Sequence, residues 1–232
     1  MTTIELDDVT VTAAGSDGDV VILRDVTARL TERRIALIGG NGSGKSTFAR
    51  LLNGLVSPSS GTVTVDGLDV ADDGPAVRRR VGFVFTQPAA QLVMPTVAED
   101  VALSLRRSVP DKRERQSRTL EVLESFGLAH LAPNSVHSLS GGQQQLLALA
   151  GVLATGPSIV VADEPTTLLD LRNTVIVADR LFALEQQLVL VTHDLDLAAR
   201  CDRALVVEAG RVVFDGPPDA AVEHYRRSVA TP

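Results

Sequence analysis

Cysteine occurs once in the 232 residues, at Cys201. No intrachain disulfide can form, which fits a reducing compartment, and one thiol among four scattered histidines makes no metal-ligand cluster. Cys201 reads as an inert packed thiol. Tryptophan is absent and Tyr225 is the single tyrosine. Lysine is scarce too: only Lys45 and Lys112 stand among the arginines. A lysine in such a chain suggests work that suits a compact point charge and not a planar guanidinium. No apolar run is long. Leu146 to Ala154 falls well short of the roughly 18 residues of a bilayer span, so any membrane role comes through a partner. The opening MTTIELDDVTV has neither a basic nor an apolar stretch, and no signal peptide is expected there. Positive charge is in deficit, with a formal net charge of -7, which opposes nucleic acid as a partner. Arg78, Arg79 and Arg80 are read either as a small basic patch or as the solvated face of a helix.

What is present suits one domain with a subdomain inserted. IELDDVTV, DVVILRDVTARL and GTVTVDGLDV alternate and read as half-buried, partly antiparallel strands. RIALIGG, VGFVF, SIVVAD, QLVLVTHD and RALVVEAG are dense apolar runs, as in a parallel sheet covered on both faces. Helical patterns starting at Lys45, Asp111, Gly141, Asn173 and Leu195 separate them, which predicts an α/β fold. From about Pro88 to Ala154 no strand is expected. There DKRERQSRTLEVLESFGL sets Leu120, Leu123 and Phe126 on one helical face, and Gly127 ends it.

Four segments carry chemistry. GGNGSGKS, comprising Gly39, Gly40, Asn41, Gly42, Ser43, Gly44, Lys45 and Ser46, followed by Thr47, joins an apolar strand to a helix. Small residues let backbone N–H groups curl around a phosphate at a helix N-terminus. Lys45 then reaches the β- and γ-phosphates and the Ser46 hydroxyl ligates Mg²⁺. Asp163 and Glu164 end SIVVA, either as a Mg²⁺ ligand followed by a general base or as a strand-ending turn. LSGGQ, with Ser140, Gly141, Gly142 and Gln143, is a second anion-binding helix start or an ordinary N-cap. His193 ends QLVLVT as a packed, capping or functional residue.

In the chain order Gly39–Ser46, Leu139–Gln143, Asp163–Glu164, Asp170 and His193, these residues resemble the ABC ATPase family from end to end. The resemblance implies one ABC ATPase domain over 1–232. Within it, 1–86 and 157–232 form a RecA-like P-loop NTPase core plus an N-terminal antiparallel β subdomain. About 88–154 form an inserted α-helical subdomain that carries the signature. It implies ATP and Mg²⁺ as cofactors, and head-to-tail pairing with an identical or related ATPase subunit. Each ATP then lies between the Lys45-type loop of one subunit and the Ser140-type signature of the other. Glu164 is the general base, His193 contacts the γ-phosphate and Asp170 links the sites across the dimer.

QPAAQLVMPTVAEDVA, LSGGQQQLLALAGVLA, DEPTTLLDLRN and THDLDLAARCDR look most like the energy-coupling-factor (ECF) importers, the biotin type first and the cobalt and nickel type next. That implies a peripheral place on the cytoplasmic face of the cell membrane, a transmembrane coupling subunit and a substrate-binding membrane subunit. The cargo is a vitamin, biotin first, or a transition-metal ion. No regulatory C-terminal domain is expected after GRVVFDGPPDAAVEHY. In VTVTAAGSDGD, Ala13 stands where the family commonly has an adenine-stacking aromatic. The family's coupling glutamine is replaced as well, F-Q-N-P reading Phe85-Thr86-Gln87-Pro88 here. Alignment puts Thr86 in its place. Amide chemistry favours Gln87 as the sensor of γ-phosphate and Mg²⁺, provided the backbone shifts locally. The alternative function is a non-transport ABC ATPase acting on DNA or the ribosome. Such proteins tend to carry coiled-coil, zinc or linker insertions or a second ATPase domain, none of which is read here. A partner that binds nucleotide and hydrolyses it poorly is a third reading, opposed by the presence of Glu164, Ser140 and His193.

Overall fold

The computed structural model describes residues 2–15 and 18–230. Met1, Thr231 and Pro232, and Ser16 and Asp17 of the VTVTAAGSDGD stretch, lie outside the described residues. The dense apolar runs become β3 (Arg34–Ile38), β6 (Val81–Val84), β7 (Ile159–Asp163), β8 (Gln187–Val191) and β9 (Arg203–Glu208). These strands pair in parallel, and β10 (Arg211–Gly216) closes the sheet antiparallel in the order β10-β9-β3-β8-β7-β6. Every residue of β3, β7 and β8 is buried, as a strand covered on both faces demands. Arg34 is buried among them because its guanidinium donates to the carbonyls of Phe182, Leu184 and Gln186.

The second sheet, β1 (Ile4–Gly15), β2 (Gly18–Leu30), β4 (Ser60–Val65) and β5 (Leu68–Asp69), is antiparallel in the order β2-β1-β4-β5. Alternation sorts the core into two clusters. Ile35 and Leu37 of β3 join Ile4, Val9 and Leu23 of this sheet and Phe48 of helix α1 (Lys45–Leu51). Ala36 and Ile38 point to the opposite face, toward most of the other helices.

Residues 88–154 hold α3 (Val97–Leu105), α4 (Lys112–Ser125) and α5 (Gly141–Ala154), following α2 (Gly74–Arg80). Among the described residues of this stretch the only β pairing is an isolated Thr96–Ser135 bridge. Val101, Leu123 and Leu147 of these helices share one cluster with Ala162 and Leu190 of the sheet. The helices thus extend the core of the sheet. The expected face of α4 needs correction: Leu123 is fully buried, but Leu120 is 46% exposed. The buried line of α4 runs through Thr119 and Leu123, an i,i+4 pair, and leaves Leu120 at its rim. Helix α6 (Leu171–Phe182) begins two residues before the expected Asn173, because Asp170 is its N-cap. Helices α7 (Leu195–Ala199) and α8 (Pro218–Ala230) complete the chain. No helix among the described residues is long and apolar enough to cross a membrane.

Candidate nucleotide site

β3 stops at Ile38 and α1 starts at Lys45, so residues 39–44 must turn sharply between them. Two glycines make the turn possible. A Cβ on Gly39, at φ 148°, would lie 2.1 Å from Val207 O, and one on Gly44, at φ 106°, would lie 2.7 Å from Leu23 Cδ2. The loop walls an open cavity of about 240 Å³ together with Ile22, Thr47 and Glu164. Lys45 is buried, with Nζ donating to Gly39 O at 2.8 Å and Gly40 O at 2.7 Å. Burial pushes its ammonium below the ordinary lysine range, and Glu164 and Asp163 oppose that shift. The buried Ser43 Oγ has no hydrogen-bond partner among the described residues. An unpaired hydroxyl beside a lysine in a glycine-rich loop fits a phosphate group.

Ser46 Oγ donates to Asp163 Oδ1 at 2.9 Å, and Arg50 Nη2 lies 3.8 Å from Oδ2. Burial raises the Asp163 carboxyl above its ordinary range, and the Ser46 bond and Arg50 pull it back. A hydroxyl beside one carboxylate is the sparse oxygen set that suits Mg²⁺ bound with phosphates and waters. Among the described residues no group of three or more His, Cys, Asp or Glu offers a closed metal cage.

β7 pairs β8 with Asp163 opposite Val191, so the residues just past both strands meet at one end of the sheet. There His193 Nδ1 shares a 2.7 Å hydrogen bond with Glu164 Oε2, and Thr167 Oγ1 donates to the same oxygen at 2.7 Å. Thr167 escaped the sequence reading; its only signal is a hydroxyl three residues after Glu164. Thr86 Oγ1 donates to Asp163 O at 2.8 Å and Gln87 is exposed, and both line a separate cavity with Gly141 and Leu168. Of the two, Thr86 is the one hydrogen-bonded to Asp163. β6 pairs with β7 in unbroken register through Val84, and both Thr86 and Gln87 lie past the end of the strand.

The signature is not joined to the loop within the chain, since neither Ser140 nor residues 141–143 line the cavity beside Lys45. Ser140 N-caps α5 in a capping box: its Oγ accepts from Gln143 N at 3.3 Å, and Gln143 Oε1 accepts from Ser140 N at 2.9 Å. Asp170 likewise accepts from Asn173 N at 2.8 Å and Nδ2 at 2.9 Å. Ala13 pairs with Val20, itself 57% exposed, at the edge of the β1–β2 ribbon. Arg78, Arg79 and Arg80 are exposed at the end of α2, Arg80 pairing with Asp66, which is the solvated-face reading. Cys201 is buried, and burial pushes its thiol up to about 12.

The sequence profile of the ABC transporter family matches residues 23–167. A biotin transport ATP-binding protein, BioM of Rhizobium etli, is 44% identical over 218 residues, covering 94% of this chain and 97% of that protein. The energy-coupling factor transporter ATP-binding protein EcfA1 of Halalkalibacterium halodurans is 40% identical over 195 residues, 82% of this chain and 70% of its own. Among solved structures, CbiO1 of Clostridium perfringens, described as part of the ABC transporter complex CbiONQ, superposes with a TM-score of 0.82. It is 30% identical and covers 97% of this chain and 93% of its own.

Proposed function

The chain belongs to the ABC transporter family, as an ATP-binding subunit of ECF-type transporters that hydrolyses ATP in step with transport, and from that premise we propose that its cargo is a vitamin, biotin first. The observation that carries the cargo is the 44% identity with BioM over 94% of the chain. A transition-metal ion is the competing cargo.

In this reading Lys45 binds the β- and γ-phosphates, and Ser46 and Asp163 hold Mg²⁺, which offsets their negative charge when bound. Glu164 polarises the attacking water and His193 contacts the γ-phosphate. The signature residues 140–143 reach a nucleotide on a second ATP-binding chain. Two features support that pairing: the signature and the loop lie apart within one chain, and Leu168 and Leu171, 62% and 82% exposed, flank Asp170. The subunit sits on the cytoplasmic face of the membrane through a transmembrane coupling subunit, beside a membrane subunit that binds the cargo.

The test is to isolate the chain with the membrane proteins that co-purify with it and to measure ATP-driven uptake into vesicles. Uptake of labelled biotin, abolished by Lys45→Ala, is expected. Uptake of Co²⁺ or Ni²⁺ without biotin would overturn the cargo and leave the family membership intact.

A further inference from the structure

Glu164 leaves β7 in left-handed backbone geometry at φ 51°, and its N–H donates to Val191 O at 3.0 Å. The backbone is fixed, but a glutamate side chain still turns about its own bonds. Two donors limit that turning, His193 Nδ1 and Thr167 Oγ1, both 2.7 Å from Oε2. They differ in independence. The His193 side chain is 56% exposed and comes from the far side of the β7–β8 junction. Thr167 belongs to the same short turn as Glu164, which its own N–H closes by donating to Glu164 O at 3.4 Å. An ionised carboxylate only accepts, so the Thr167 hydroxyl is the donor and its proton is committed to Oε2.

We propose that Thr167 is a positioning residue: it holds Glu164 Oε2 when His193 turns to the nucleotide, and so fixes which carboxylate oxygen faces the cavity beside Lys45. The proposal rests on the reading of Glu164 as general base. A charge-assisted bond from an adjacent hydroxyl is among the stronger orienting contacts a side chain makes. Nothing in the contact asks Thr167 to touch the nucleotide, so its loss bears on turnover more than on binding.

The experiment compares Thr167→Val, Thr167→Ser and Glu164→Gln in the full chain, with steady-state ATP hydrolysis and a separate titration of ATP binding. Thr167→Val keeps the shape and loses the hydroxyl. It should lower kcat about tenfold with KM for ATP within about twofold. Thr167→Ser should return kcat to within about twofold of wild type. Glu164→Gln should lower kcat by about 10²–10⁴ with ATP binding kept. Adding Thr167→Val to Glu164→Gln should cost no more than about twofold further, because two residues acting as a unit are not additive. Four results overturn the proposal: unchanged kcat in Thr167→Val, equal losses in the Val and Ser variants, a further tenfold loss on the Glu164→Gln background, or full turnover in Glu164→Gln. The last removes the general-base reading as well; the first three leave it standing.

Discussion

Glu164 is one of five non-glycine residues with positive φ among the described residues, carrying φ 51° in spite of its β-carbon. Such a conformation costs of order 1–3 kcal/mol and persists only where the surroundings over-determine it. Here a backbone bond to Val191 and two bonds to one carboxylate oxygen supply that constraint. Lys45 and Ser46 are legible from sequence because strand, glycine loop and helix start follow one another without interruption. The contact between Glu164 and His193 is not, since 29 residues separate them and only the β7–β8 register brings them together. Thr86 and Gln87 lie past the end of β6, where strand register no longer sets their faces. An argument from amide reach alone favours Gln87, but the path of the backbone after β6 brings Thr86 to Asp163. Removing the Thr86 hydroxyl costs one hydrogen bond, about 1 kcal/mol or roughly fivefold. Thr86→Ala should therefore lower uptake per ATP hydrolysed by about fivefold in the assembled transporter, while Gln87→Ala leaves both rates within about twofold. The reverse ranking in vesicle uptake and phosphate-release assays would restore Gln87.

Among the elements, the buried parallel strands announce themselves because a two-faced burial requires an unbroken apolar run. β10 does not, because its residues alternate between exposed and half-buried at the edge of the sheet. Caps set the helix starts more sharply than apolar spacing does, as Asp170 shows on α6. The starts of α5 and α6 also pack directly on one another. A Cβ on Gly142 would lie 2.3 Å from Asn173 Oδ1 and 2.9 Å from Asn173 Cβ, and a Cβ on Gly141 would lie 3.7 Å from Leu169 Cδ2. Replacing a helical glycine by alanine in open space stabilises by about 1 kcal/mol. At Gly142 the collision with Asn173 reverses the sign, and overpacking of this kind costs about 1–3 kcal/mol. Gly142→Ala should melt below wild type, and Gly142→Ala with Asn173→Gly, which removes the Asn173 β-carbon as well, should recover part of the loss. A single variant that melts at or above wild type would show that Asn173 moves aside without cost. The packing makes the signature and the Asp170 turn one unit, so a shift of either is felt by the other.

At the scale of the whole molecule, the sequence shows that the stretch from 88 to 154 lacks strands, but not that its helices bury Val101, Leu123 and Leu147 in the core of the sheet. That depends on long-range packing, which no local pattern encodes. The packing fixes the signature at a distance from the loop around Lys45, so in the proposed reading one chain holds both halves of a nucleotide site without joining them. In the proposed pairing a second copy placed head to tail would join them, and a closed two-fold pair would use each surface twice. Lys45→Ala removes the phosphate cation, and Ser140→Arg fills the signature with a bulky charge; each variant alone should be nearly inactive. In an equal mixture, random pairing puts both lesions in half of the dimers, one on each chain. Such a dimer carries the two lesions in one site and leaves the other intact. The mixture should regain about a quarter of wild-type turnover if intact sites act independently. The control mixes each variant with itself, and sizing by light scattering checks that both still pair. No recovery between two folded, pairing variants would exclude a head-to-tail dimer of identical chains whose sites act independently.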